Sequence, residues 1–371
     1  MRPLLRANTL RTSAPYGACV KRAALCILLV VAVGGCGGGG RHAGPLPARF
    51  VPVSLSALDD RDVVLLGTVP CSVGRCYVIE RTADGGRGFT RVAAPRGLPT
   101  EGTNPRLRFA DARDGFVWVP FGWGRFWSTH DGGATWQRLR SPDVVAFTTA
   151  GGKAYAVVAR CTTQTCSGYR FAHGPASAPR WRGTPLPFVP DGPIVDLSAR
   201  GRNVWLLGTP AGTRFPRHDV LARSTDGGHT FVTGDGPCVP GLGGDLEPSS
   251  AQVVWAVCPT GMMAGASRST DGGVTFEPLR TPSLVNAARL APASDETALL
   301  AANGAGRPLY RTTDRGATWR PLRPMGNDDV WYDVVFTDAR TGDALVQVGA
   351  HPPAVWRTTD GGITWSRIGR R

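Results

Sequence analysis

The chain predicts an all-β fold: a seven-bladed β-propeller of four-stranded antiparallel blades. Three observations carry that reading. A phrase recurs in which Ser or Thr, any residue, Asp-Gly-Gly, any residue and Thr are followed by Trp or Phe, with the aspartates at Asp84, Asp131, Asp226, Asp271, Asp314 and Asp360. Their gaps are 47, 95, 45, 43 and 46 residues, so the long gap reads as two periods with one copy eroded near Phe171-Ala-His173 and Trp181. Between copies, runs of Val, Leu, Phe and Trp alternate with clusters of Gly, Asp, Asn and Pro, and the body shows no helical periodicity. Seven repeats of about 46 residues made of short strands describe a propeller.

The N-terminus comes first. Residues 1–20 contain arginine and no acids, Lys21-Arg22 follow, and an apolar stretch from Ala23 to Val33 ends at Gly34-Gly35-Cys36. A basic start, an 11-residue apolar run and small residues before Cys read as a secretory signal over 1–35, too short to span a bilayer as a mature helix. Val33-Gly-Gly-Cys36 resembles a bacterial lipobox, which implies lipidation at Cys36 and a flexible tether over 36–48. The propeller then occupies 49–371. The implied location is extracytoplasmic, anchored to a bacterial cell membrane through the lipid. Removal of 1–35 lowers the net charge from +14 to about +9, spread over all repeats without a dense basic run. That excess favours anionic surfaces and excludes a nucleic-acid partner as the leading idea.

Each repeat opens with two apolar runs separated by a polar turn, beginning at Val53, Leu107, Val144, Ile194, Leu246, Arg289 and Val334. These are strands a and b; the residues before the phrase form strand c, and those from its aromatic onward form strand d. Within the phrase, the Asp carboxylate can accept backbone N–H groups of the c–d turn, and the paired glycines tolerate positive φ. The final Trp or Phe can bury itself between blades. The six aspartates are therefore turn clamps rather than catalytic acids. Thr312 to Trp319 departs by Arg315 in place of the first Gly, and Thr82 to Phe89 by Gly88 in place of Thr.

This phrase is identified as the Asp-box (BNR) repeat. The composite Phe109-Ala-Asp111-Ala-Arg-Asp-Gly115-Phe116-Val117 followed by Thr129 to Trp136 resembles the photosystem II stability/assembly factor family and its bacterial relatives, and more distantly the sialidases. The resemblance spans about 50 to 371 and is specific for fold, poor for function.

Six cysteines remain beyond Cys36, and an even number in an exported chain suggests disulfides. The expected pairs are Cys71–Cys76, Cys161–Cys166 and Cys238–Cys258, the first two stapling b–c turns. A zinc site is the alternative for such pairs, but no His lies close to them. The six histidines are scattered, so no metal and no cofactor is expected.

In a propeller of this kind the d–a and b–c loops share one face and the Asp boxes lie on the other, so a ligand site is expected around the mouth of the central channel. Sialidases bind the substrate carboxylate there with three arginines. Here strand a offers Arg106 or Arg108 in blade 2 and Arg289 in blade 6, and none in the other five blades. Carboxylates near the mouth include Asp196, Glu247 and Asp333 on strand a, and Glu101, Asp328 and Asp329 in d–a loops. Phe121, Trp123 and Arg125 in the b–c turn of blade 2 form an aromatic candidate surface, and Trp331 and Tyr332 at the entry to blade 7 a second. The expected function is non-catalytic: a monomeric envelope platform binding a protein or glycan ligand. The rival is an exo-sialidase-like glycoside hydrolase.

Overall fold

The computed structural model describes residues 43–99, 103–120, 125–140, 142–162, 165–212, 218–285, 288–302, 309–326 and 329–369. The expected signal peptide, Cys36 and most of the expected tether lie outside the described residues. No helix among the described residues is long and apolar enough to cross a membrane.

Seven antiparallel sheets follow one another along the chain, each with its four strands in sequence order. Their first strands, strand a of each blade, are Val51–Ala57, Arg106–Phe109, Asp143–Ala150, Pro190–Arg200, Asp245–Pro248, Ala288–Pro292 and Asp329–Phe336. The last blade closes with its own strand d, Ser366–Arg367. Blade 5 gains a short fifth strand, Leu284–Val285, which pairs with Met263 and Ala264 of its strand c.

Strand b is the apolar centre of each blade: Val63 to Leu66, Val204 to Leu207 and Val254 to Val257 are all buried. Alternate side chains of such a strand face opposite neighbours, so no central core forms. The buried residues instead fall into seven clusters, one per blade–blade interface. The aromatic ending each Asp box packs into the interface with the preceding blade. Trp136 joins the layer between blades 1 and 2, Phe231 that between 3 and 4, and Trp365 that between 6 and 7. Blade 3 has lost its box yet keeps this contact, because Trp181 packs against Phe116, Phe126 and Phe147.

The ring closes through Phe50, Leu55, Val63, Leu65 and Phe89 of the N-terminal side against Leu345 and Val355 of blade 7. The end of the expected tether takes part. Gly44 exchanges backbone bonds with Phe89 at 2.9 and 2.6 Å, and the Leu46 amide donates to the Gly369 carbonyl at 3.0 Å. The three expected disulfides, Cys71–Cys76, Cys161–Cys166 and Cys238–Cys258, are all formed.

Candidate functional site at the mouth of the central channel

The Asp boxes behave as mechanical clamps. Asp131 accepts bonds from the Thr129 hydroxyl at 2.8 Å, the Thr135 amide at 2.9 Å and the Thr135 hydroxyl at 2.6 Å, while the Gly133 amide donates to Thr129 Oγ1 at 2.9 Å. The same pattern recurs at Asp226, Asp271, Asp314 and Asp360. At Asp84, Gly88 offers only its amide, at 3.0 Å. Hydroxyl and amide donors hold Asp131 and Asp314 down at about 2. An acid so committed cannot serve as a proton donor near neutrality.

The opposite end of the ring is chemically different. Strand a of blades 2, 4, 5, 6 and 7 points Arg106, Arg108, Asp196, Asp245, Glu247, Arg289 and Asp333 into one cavity of about 300 Å³ in the lumen, with Tyr332 beside them. Residues spread over more than 200 positions in sequence thus meet because strand a is innermost in every blade. Bulges help to aim them. In blade 7 the register shifts between Trp331 and Asp333, and both Tyr332 and Asp333 reach the lumen. Comparable shifts occur at Pro52/Ser54 and Pro190/Val195.

The lumen is electrically divided. Arg106 and Arg108 stand on the blade 2 side, and Asp196, Asp245 and Glu247 on the side of blades 4 and 5. Arg289 bonds Asp245 Oδ2 at 3.0 Å, an ion pair with both partners partly exposed. Asp196 accepts the Leu246 amide at 3.0 Å. Neither Asp196 nor Glu247 has an ion-pair partner among the described residues. Enclosure by the lumen wall, then repulsion from Asp245, pushes Asp196 up to about 7. Enclosure, then Asp196 and Asp245, pushes Glu247 up as well, with Arg108 opposing. Glu247 keeps solvent contact inside the lumen, so water tempers the enclosure effect without reversing its direction. Enclosure likewise raises Asp333, against the pull of Arg108, Arg106 and Arg289. Arg108 Nε is buried with no hydrogen-bond partner among the described residues.

Of the residues expected to bind ligand, Arg108, Arg289 and Tyr332 come together here. Trp331 does not, which corrects the sequence reading. It is 1% exposed and packs edge-on against Trp365, because neighbouring side chains of a strand take opposite faces. Arg125 closes the b–c turn of blade 2, its carbonyl accepting the Val119 amide at 3.2 Å. Phe121 and Trp123 lie outside the described residues, as do Glu101 and Asp328. Asp329 is buried at the start of strand a rather than standing in an open loop.

Sequence reasoning missed Asp245 as a lumen residue; its two-residue spacing from Glu247 on one strand was the available signal. It also missed an arginine immediately before the box hydroxyl in five blades, at 81, 223, 268, 311 and 357. Four of these bracket the next blade: Arg81 bonds the Ala112 carbonyl, Arg268 that of Asp295, Arg311 that of Gly361 and Arg357 that of Asp60.

Larger grooves lie elsewhere, among them one of about 490 Å³ beside Arg268 and Arg315. One of about 910 Å³ follows the ring seam beside Pro47 and Pro353, and one of about 590 Å³ lies by Asp84 and Asp131, acids already held as clamps. No cluster of His, Cys, Asp and Glu among the described residues has metal-binding geometry.

The BNR/Asp-box repeat family model matches residues 356–367, the last copy. No curated protein matches the chain. Among solved structures, YCF48 from Cyanidioschyzon merolae is 16% identical with a TM-score of 0.55, covering 86% of this chain and 98% of that one. "YCF48 bound to D1 peptide" is 16% identical with a TM-score of 0.52, covering 86% and 96%. A puromycin-hydrolyzing peptidase from Mycobacterium tuberculosis is 13% identical with a TM-score of 0.57, covering 89% of this chain but 56% of that one. These likenesses show the fold: the chain is a seven-bladed propeller built on Asp-box repeats.

Proposed function

We propose that the chain is a non-catalytic binding platform of the bacterial cell envelope whose working face is the channel mouth. The observation that carries this is the divided lumen, where Asp196 and Glu247, without an ion-pair partner among the described residues, share a solvent-open cavity with Arg108, whose buried Nε has no hydrogen-bond partner among them. Opposed and unsatisfied groups suit a ligand that brings the missing partners. The similar YCF48 structure holding a D1 peptide supports a polypeptide ligand. Three disulfides fit an oxidising compartment outside the cytoplasm, and lipidation at Cys36 would hold the propeller at the membrane.

Three arginines do line the lumen, and that favours the sialidase-like reading as a rival. However, Arg289 is bonded to Asp245, and Arg106 and Arg108 come from one strand. They do not surround a substrate carboxylate from three blades. The discriminating assay is hydrolysis of a fluorogenic sialoside from pH 4 to 8. We expect no turnover above the uncatalysed rate. Turnover abolished by Arg108→Ala would establish the hydrolase.

A further inference from the structure

We propose that the rim of blades 4 and 5, with the acidic lumen wall beneath it, is a docking surface for a polypeptide segment carrying apolar side chains around one Lys or Arg. This rests on the reading of the channel mouth as the working face. The rim consists of the loop entering blade 5 and that blade's b–c turn. Val239 and Leu242 on the loop are 49% and 44% exposed, and Met262 and Met263 on the turn are 81% and 41% exposed. Four of the ten exposed large apolar residues among the described positions thus lie on two adjoining loops.

Their position is fixed. The Cys238–Cys258 disulfide ties the loop to the end of strand b, and the Gly241 amide donates to Thr209 Oγ1 at 2.6 Å. The Thr260 amide donates to the Met263 carbonyl at 2.8 Å, and Leu284–Val285 pairs alongside Met263. A rigid loop that still exposes apolar side chains keeps a surface ready for a partner, since ordering it on binding costs little entropy. Methionine adds a contact that adapts to the partner's shape.

Charge selects the partner. Leu242 stands three residues before Asp245, so the loop bearing the apolar rim leads along the chain into the strand that carries Asp245 and Glu247, which with Asp196 form the wall. Among the described residues, only Asp245 of this wall has a cation bonded to it, namely Arg289. A basic side chain reaching past the rim would meet the two remaining carboxylates, in a chain whose overall charge is otherwise strongly positive. An acidic segment would meet like charge on this side and would be drawn instead to Arg106 and Arg108 across the lumen.

The test is selection of a displayed random heptapeptide library against the full-length protein. The expected consensus combines Leu, Ile or Phe with one Lys or Arg. Synthetic peptides of that consensus should lose about tenfold or more in affinity on Glu247→Gln and on Met262→Glu. Thermal melts matching the parent protein would show both variants folded. A consensus rich in Asp or Glu that is lost with Arg108→Ala would overturn this inference and leave the platform reading intact. So would a basic consensus indifferent to both rim and wall variants. No enrichment over a blank surface would overturn both.

Discussion

Asp131 and Glu247 are both carboxylates on the same ring, and their surroundings drive them in opposite directions. Donors from Thr135 and Thr129 hold Asp131 at about 2. Its stabilising contribution is present above the usual carboxylate range near 4 and fades as pH falls towards 2. Asp131→Ala strands the Thr135 amide and should cost about 1 kcal/mol above pH 5, read by thermal melting. Glu247 and Asp196 are raised, so the native state binds more protons than the unfolded chain above pH 4. Stability from this pair therefore falls as pH rises from about 4 to about 8. Glu247→Gln should raise the melting temperature at pH 8 and leave it nearly unchanged at pH 4. Equal shifts at both values would contradict the assigned direction.

Backbone conformation makes a second residue-scale point. The first glycine of each intact box has φ between 71° and 81°, and Arg315 adopts 65° in the same place. Gly132→Ala should cost about 1–2 kcal/mol, because a side chain disfavours the left-handed region and its Cβ would meet the Ala112 carbonyl at 3.0 Å. Arg315→Gly should not destabilise. The clamp role of the aspartates was legible in sequence because the whole motif is local. The acidic wall was only partly legible: Asp196 and Glu247 were visible as strand-a residues, but their proximity depends on ring closure.

Among elements, the interface between blades 7 and 1 is where closure is decided. Arg357 is bonded through Nε and Nη2 to Asp343, each at 2.8 Å, with both side chains buried, and its Nη1 crosses the seam to the Asp60 carbonyl. Arg357→Ala leaves Asp343 buried without its partner and should cost about 3–5 kcal/mol by denaturant unfolding. A loss below 1 kcal/mol would show that the seam is held by Phe89 and Leu46 instead. Disulfides differ by loop length. Cys238–Cys258 encloses 20 residues of separation against 5 for Cys71–Cys76. Serine pairs replacing the former should cost about 1 kcal/mol more than those replacing the latter. The strand pattern and all three pairs were readable because each element carries its own apolar run or turn. The inward position of Trp331 was not, because alternation sets which face a residue takes and a bulge alters that count.

At the scale of the molecule, the proposed function has the ring separate support from recognition. Clamps, glycines and inter-blade arginines occupy one face, where the clamp aspartates are held by hydroxyl and amide donors of their own turns. Strand a brings unsatisfied charges to the other face, and the pinned loops of blades 4 and 5 add apolar surface beside them. Blade number and order were legible from spacing alone, since a ring of equal repeats has one arrangement. What the lumen contains follows from residues more than 200 positions apart, and no local pattern encodes that.

The most direct test compares the two faces in the cell that makes the protein. A photo-reactive benzoyl-phenylalanine replaces Tyr332 at the mouth or Ile363 on the Asp-box face, both exposed side chains. We predict a discrete adduct from position 332, suppressed by Glu247→Gln or Arg108→Ala, and none from position 363. A discrete adduct from 363 with none from 332 would contradict the account, because the ligand would then engage the face assigned to structural support.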